Sequence, residues 1–192
     1  MTHPLLEKRP IVVAIAGPNG AGKTTFYHSF LSEAGLRFVN ADDIARDLAI
    51  DAYAAAKIAD ALRRELIQQR ESFVFETVFS DPVADKVRFL EEAATAGYSV
   101  VLYFVGISAW EISEQRVAMR VSQGGHDVPS EKLAARFPRT LANLKAAIQK
   151  LPLVLVFDNE DIGSSYRKVA EFAQSVRTFS APPEPEWLKV AH

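Results

Sequence analysis

The chain has 192 residues, no cysteine, and 22 Lys and Arg against 24 Asp and Glu, for a formal net charge of −2. The missing cysteines exclude a disulfide scaffold and any thiolate metal site, and the near balance of charge argues against a dedicated nucleic-acid binder. No apolar run approaches the ~20 residues a bilayer span needs, and Met1–Pro10 has no signal-peptide core, so one soluble cytoplasmic domain over 1–192, away from membranes, is expected.

In chain order, Ile11–Ala16 (IVVAIA) is a continuous apolar, β-branched run stopped by Gly17, the pattern of a strand covered on both faces. Arg37–Asn40 is a shorter strand candidate, and Phe73–Phe75, Ser99–Val105 and Leu153–Phe157 repeat the first pattern. Helices are predicted between them. In Tyr53–Arg70, Ile58, Leu62 and Leu66 form the apolar stripe, with Arg63, Arg64 and Gln68 pointing elsewhere. Val83–Ala96 buries Val87, Leu90 and Ala94 and ends at Gly97, while Ala109–Ser122 and Ser130–Gln149 follow, the latter with a kink or break at Pro138. Alternating strands and helices predict an α/β fold: a parallel sheet of about five strands with helices on both sides. The core spans about 10–160. Over 161–192, Ser165–Phe172 reads as a strand or a short helix, with Tyr166, Val169 and Phe172 favouring the strand, and Ala181–Leu188 as an extended, proline-rich tail.

Gly17-Pro18-Asn19-Gly20-Ala21-Gly22-Lys23-Thr24 matches G-x-x-x-x-G-K-[ST], with Thr25 following, and it stands after a strand and opens a helix near Lys23. The chemistry needs these residue types. Glycines let backbone N–H groups close on phosphate oxygens, the helix N-terminus adds its positive dipole end, Lys23 reaches the β- and γ-phosphates, and the Thr24 hydroxyl is placed for Mg²⁺. Binding of ATP with Mg²⁺ is therefore expected.

A guanine-reading N-K-x-D is absent, which removes the GTPase class. An ABC-type ATPase is echoed by Val121–Gly125 and by Leu153–Asp158 as a Walker B strand, but the order and spacing do not fit, and Asn159 follows Asp158 where a Glu is needed. Three features favour a kinase. Asp42 and Asp43 follow the second strand, where strand ends line the ligand crevice of a parallel sheet; a carboxylate there can take the proton of an attacking hydroxyl, and Asp42 can equally cap a helix. Glu76 and Thr77 end a buried strand, so Glu76 can bind the acceptor or, with Asp42, help to hold the metal. Arg116 and Arg120 share one helix face and are followed by Gly124–Pro129, then Arg136 and Arg139, an arrangement that suits an arginine-bearing helical lid hinged at Gly124-Gly125. His126 stands alone in that loop, and Arg64 could reach the site.

In this order the segments Ala16–Thr25, Asn40–Ala45, Ser72–Ser80, Arg116–Val121, Gly124–Pro129 and Arg136–Leu144 resemble the zeta-toxin-like P-loop kinases, closest to their short bacterial branch. The resemblance covers about 10–160. It implies a nucleotide-kinase-like fold, ATP·Mg²⁺ as donor, an acceptor hydroxyl such as that of UDP-N-acetylglucosamine, and a small antitoxin partner. By motif the catalytic base falls on Asp42, the substrate-binding acid on Glu76 and the first lid arginine on Arg116; Thr77, Asp43, His126 and Arg136 complete the acceptor side. The family's second lid arginine is unmatched, with His126 or Arg120 in its place, and Thr77 stands where the toxins have glycine. The expected protein is a small-molecule kinase in which Lys23, Arg116 and Arg120 stabilise the transferring group. The alternative is an ATP-binding switch or binding module without transfer to a small acceptor.

Overall fold

The computed structural model describes residues 4–122, 127–161, 163 and 165–189. The hinge expected at Gly124-Gly125, and His126, lie outside the described residues. The five expected strands form as β1 (Ile11–Ala16), β2 (Arg37–Val39), β3 (Phe73–Thr77), β4 (Ser99–Gly106) and β5 (Leu153–Asp158). They run parallel in the order β2-β3-β1-β4-β5, which places β1 between β3 and β4. The register aligns Ala16 with Thr77 on one side and with Phe104 on the other, so the carboxyl ends of the three central strands open on one crevice.

The helices are α1 (Lys23–Phe30), α2 (Ala41–Leu48), α3 (Ala52–Gln68), α4 (Asp85–Thr95), α5 (Trp110–Ser122) and α6 (Ser130–Lys150). They cover the sheet over two apolar clusters, one around Phe73, Phe75, Phe104 and Leu144, the other around Ile15, Phe26, Val101 and Val105. Gly97, at φ +86°, follows the end of α4 as its position predicted. α6 runs through Pro138 as one element rather than breaking there. Its Thr140 hydroxyl donates to the carbonyls of Val78 and Arg136, at 3.0 and 3.1 Å, which ties the turns around the proline to the end of β3.

The fold departs from the sequence pattern on α3 and in the C-terminal stretch. On α3 the buried stripe is Ala55, Ala59 and Leu66 with Arg63, whereas Ile58 is 41% exposed. The small alanines let α3 sit close to its neighbours, and this turns Arg63, not the exposed Arg64, inward. The C-terminal stretch is also not an extended tail. After β6 (Arg167–Ala173) and β7 (Val176–Ser180), which join β5 antiparallel and complete a seven-stranded sheet, the chain forms a short helix, α7 (Glu186–Lys189). Trp187 and Leu188 are buried there, because an exposed indole and isobutyl pair leaves apolar area in water that the β4 face can take up. A methyl at Gly106 would come within 2.2 Å of the Trp187 ring, so that glycine makes room for the indole. The Trp187 indole N–H donates to Asp158 at 3.3 Å. Trp187→Phe is expected to cost about 1–2 kcal/mol in urea denaturation, from lost volume and one lost hydrogen bond.

Candidate active site

The turn between β1 and α1 is held in place by contacts from distant parts of the chain. Gly17 has φ +147°, and a Cβ there would meet the Val105 carbonyl oxygen at 2.0 Å, so β1 can leave the sheet this closely to β4 only without a side chain. Four successive carbonyls of the loop each accept from a side chain: Asn19 from the Ser113 hydroxyl (2.7 Å), Gly20 from Arg116 Nη1 (3.3 Å), Ala21 from Asn159 Nδ2 (2.8 Å) and Gly22 from the Tyr166 hydroxyl (2.9 Å). With these carbonyls engaged and the Ala21 N–H bonded to the Pro18 carbonyl, the other N–H groups of the loop and of the first turn of α1 are the ones suited to an anion, as at a phosphate loop.

Lys23 is buried, donates to the Pro18 carbonyl at 2.9 Å and stands 3.7 Å from Glu76 Oε1. Burial lowers its pKa below the ordinary lysine value; Glu76 and then Asp42 oppose this, while Arg120 adds to the lowering. These opposing influences place Asp42, Glu76 and Arg120 within electrostatic reach of one ammonium group.

The end of β3 meets the start of α1 through Glu76. Its Oε2 accepts from the Thr24 hydroxyl at 2.7 Å and from Asn40 Nδ2 at 3.1 Å. Asn40, itself buried, also caps α2, its Oδ1 accepting the Asp42 N–H at 2.8 Å. The cap is therefore Asn40 and not Asp42, whose carboxylate is exposed and lines the cleft. Asp43 is turned instead to Arg46, at 2.9 Å, and does not line the cleft. Thr77 lines it while its hydroxyl accepts the Phe79 N–H at 3.1 Å.

These groups share a cleft of about 530 Å³ with Arg120, Asp127, Lys132 and Arg136. Arg116 is not among its lining residues; besides Gly20 its guanidinium serves the carbonyls of Asn159 (2.9 Å) and Glu160 (3.0 Å) and so clamps the loop to the end of β5. Asp158, the Walker B candidate of the ABC reading, faces Trp187 and Arg167 (3.5 Å), and β4 separates its strand from β1. Among the described residues no group of three or more His, Asp or Glu could hold a metal, and no helix is long and apolar enough to cross a membrane. Thr24 and Glu76 nonetheless fit Mg²⁺ at a phosphate loop, where a hard cation takes one or two protein oxygens and completes its shell with phosphate and water oxygens.

Sequence reasoning missed Asn40, Ser113, Asn159 and Tyr166, and turned Arg63 the wrong way. Asn40 had a local signal, a cap residue between a strand and two acids. The others reach the loop across 94, 138 and 144 residues of chain, and no spacing rule connects them.

No curated protein matches the chain. Among solved structures it is similar to a chain of the AvrRxo1-ORF1:AvrRxo1-ORF2 complex, determined with sulphate ions, at TM-score 0.72 and 18% identity over 91% of this chain and 62% of that one. The chain thus spans less than two thirds of that protein's length. It is also similar to a chain of the PezAT chromosomal toxin-antitoxin system of Streptococcus pneumoniae (TM-score 0.61, 17% identity, 96% and 85% covered) and to a gluconokinase from Sinorhizobium meliloti 1021 (TM-score 0.50, 14% identity, 79% and 84% covered). These likenesses show a P-loop kinase-like α/β fold. A family model described as an AAA domain matches residues 12–146, which include the loop, Asp42, Glu76 and α5. By that match the chain belongs to the AAA domain family.

Proposed function

We propose that the protein is an ATP-dependent phosphotransferase that moves the γ-phosphate to a hydroxyl of a small acceptor. One observation carries this: a single cleft joins the phosphate loop and Lys23 to the free carboxylate of Asp42, to Glu76 beside Thr24, and to Arg120. The backbone N–H groups of Asn19, Gly20 and Gly22–Thr25, with Lys23, hold the triphosphate in the loop that Gly17, Pro18 and Ala21 shape. Asp42 accepts the proton as the acceptor oxygen forms its bond to phosphorus and the bond to the ADP oxygen breaks. Lys23 and Arg120 offset the charge that develops on the transferring group. Thr24 and Glu76 would hold Mg²⁺, which supplies neutralisation of the β- and γ-phosphate oxygens when bound. Arg116 acts here as a positioning residue of the loop, and Arg136 with Thr77 lies on the acceptor side.

The chain is taken as one domain, because β6 and β7 extend the same sheet and α7 packs on the same core, and its expected place is the cytoplasm. The likeness to the PezAT toxin-antitoxin system supports a small antitoxin partner. The zeta-toxin resemblance makes a UDP-N-acetylglucosamine-like sugar nucleotide the first acceptor to try. The test is mass spectrometry of sugar nucleotides, nucleosides and amino sugars after incubation with the protein, ATP and Mg²⁺. A product one phosphate heavier is expected. Tight ATP binding with every acceptor untouched would instead favour a nucleotide switch. Tyr166→Phe removes the donor to the Gly22 carbonyl and is expected to weaken ATP binding about fivefold, the worth of one hydrogen bond, as read by calorimetry.

A further inference from the structure

The wall of the cleft that follows Glu76 is built at a local cost. Thr77 and Val78 line the cleft, and the next residue, Phe79, has φ +63° although its side chain is bulky and it is 1% exposed. A left-handed backbone is sparsely populated for such a residue, and it persists only where the surroundings over-determine it. Four hydrogen bonds do so here. The Thr77 hydroxyl accepts the Phe79 N–H, and the Thr140 hydroxyl donates to the Val78 carbonyl. The Asn143 amide donates to the carbonyls of Phe79 and Asp81, both at 2.9 Å. The Asp81 carboxylate in turn accepts the Asp85 N–H at the start of α4.

Two polar side chains of α6 thus hold the turn. Thr140 is wholly buried and Asn143 is 6% exposed. Packing alone does not call for them, because α6 already buries Leu144, Ala147 and Ile148. Both amide hydrogens of Asn143 go to carbonyls on the two sides of the turn, so its donor capacity is fully used there. Arg136, Thr140 and Asn143 follow at spacings of four and three residues, on one face of the helix. The same face therefore presents Arg136 to the cleft and, one and two turns on, grips the wall beside it. Cation and wall keep a fixed relation.

We infer that Asn143, assisted by Thr140, is a positioning residue for the acceptor. It holds the 77–81 turn in its left-handed form and so fixes Thr77 and Val78 against Arg136, without itself touching the reacting groups. This rests on the phosphotransferase reading for the word acceptor, but the hold on the turn can be tested without turnover.

In Asn143→Leu both carbonyls lose their donor. Amide hydrogen exchange of the intact protein, read by mass spectrometry, is expected to speed up about tenfold or more over residues 76–82, the worth of two hydrogen bonds. The phosphate-loop segment 17–25 should keep its original rate, and ATP affinity should stay within about twofold. With the phosphorylated member of the acceptor panel, UDP-N-acetylglucosamine being tried first, the half-saturating acceptor concentration should rise about tenfold. More ADP should also form per phosphorylated product, as water replaces a misplaced acceptor. Trp187→Phe is the control: it weakens the same apolar core but lines no part of the cleft, so it should lower the melting temperature and leave the acceptor constant unmoved. Should Asn143→Leu not fold, Thr140→Val removes one donor at nearly constant shape. It is expected to change both measures about three- to fivefold, with Thr140→Ser restoring them. Unchanged exchange over 76–82 overturns the inference whatever the panel gives. Faster exchange with an unmoved acceptor constant also overturns it, and leaves the kinase reading intact. A panel that is never phosphorylated counts against the kinase reading alone, and exchange still decides whether Asn143 holds the turn.

Discussion

Asparagine in place of Asp42 is expected to leave ATP affinity within about twofold while slowing phosphoryl transfer about 10²–10⁴-fold, the usual worth of a positioned general base. The site makes this a clean substitution. Asp42 is exposed in the first turn of α2, and its backbone N–H is already held by the Asn40 side chain, so the carboxylate is not needed to start the helix. Beyond catalysis it supports the Lys23 ammonium, second to Glu76, and that support is lost in the variant. Equilibrium titration of nucleotide and single-turnover transfer should therefore separate: binding survives and the chemical step does not. Transfer at an undiminished rate would remove Asp42 from the reaction. A parallel loss of both would mean that Asp42 acts mainly by keeping Lys23 charged.

The parts of this molecule that were legible in the sequence are those written in short windows. Ile11–Ala16, apolar and β-branched throughout, suits a two-sided strand, and all six residues are buried. The spacing of Gly17 to Thr24 placed the loop and the start of α1 at Lys23, since a glycine-rich turn after a buried strand has few other uses. Glu76 was suspect because an acid at the end of an apolar strand is costly, and it lies against Thr24 and Lys23. What could not be read was which side chain among neighbours turns inward. Arg116 fits a lid by spacing, yet backbone carbonyls of Gly20, Asn159 and Glu160 capture it, a preference set by where β5 ends. Arg63 belongs on the solvent face by the usual rule for a charged residue in an amphipathic helix; Asp60 and two phenylalanine rings reverse that, and both rings lie on other elements. Likewise Ala181–Leu188 looks extended by proline content, but Trp187 has a place to go beside Gly106.

Glu76→Gln is expected to raise the Mg²⁺ concentration needed for half-maximal transfer about 10–100-fold and to lower the saturated rate by a similar factor. The amide keeps the shape. Its single oxygen can occupy the place of Oε2 and still accept from Thr24 and Asn40, so a purely structural role would survive the change. What disappears is the negative charge, and it disappears from two places at once. The cation that Thr24 and Glu76 fit loses its anionic ligand. Lys23 loses the strongest influence opposing its burial, so its pKa, already lowered, falls further. The sign is then fixed: a buried lysine with a lower pKa sheds its proton at lower pH, and the alkaline limb of the transfer profile must move toward neutrality in Glu76→Gln. A magnesium titration paired with a pH profile distinguishes the cases. If neither the metal requirement nor the alkaline limb moves, Glu76 is only a hydrogen-bond acceptor for Thr24 and Asn40. If the metal requirement rises while the alkaline limb stays, Glu76 serves the cation and Lys23 is kept charged by Asp42 alone.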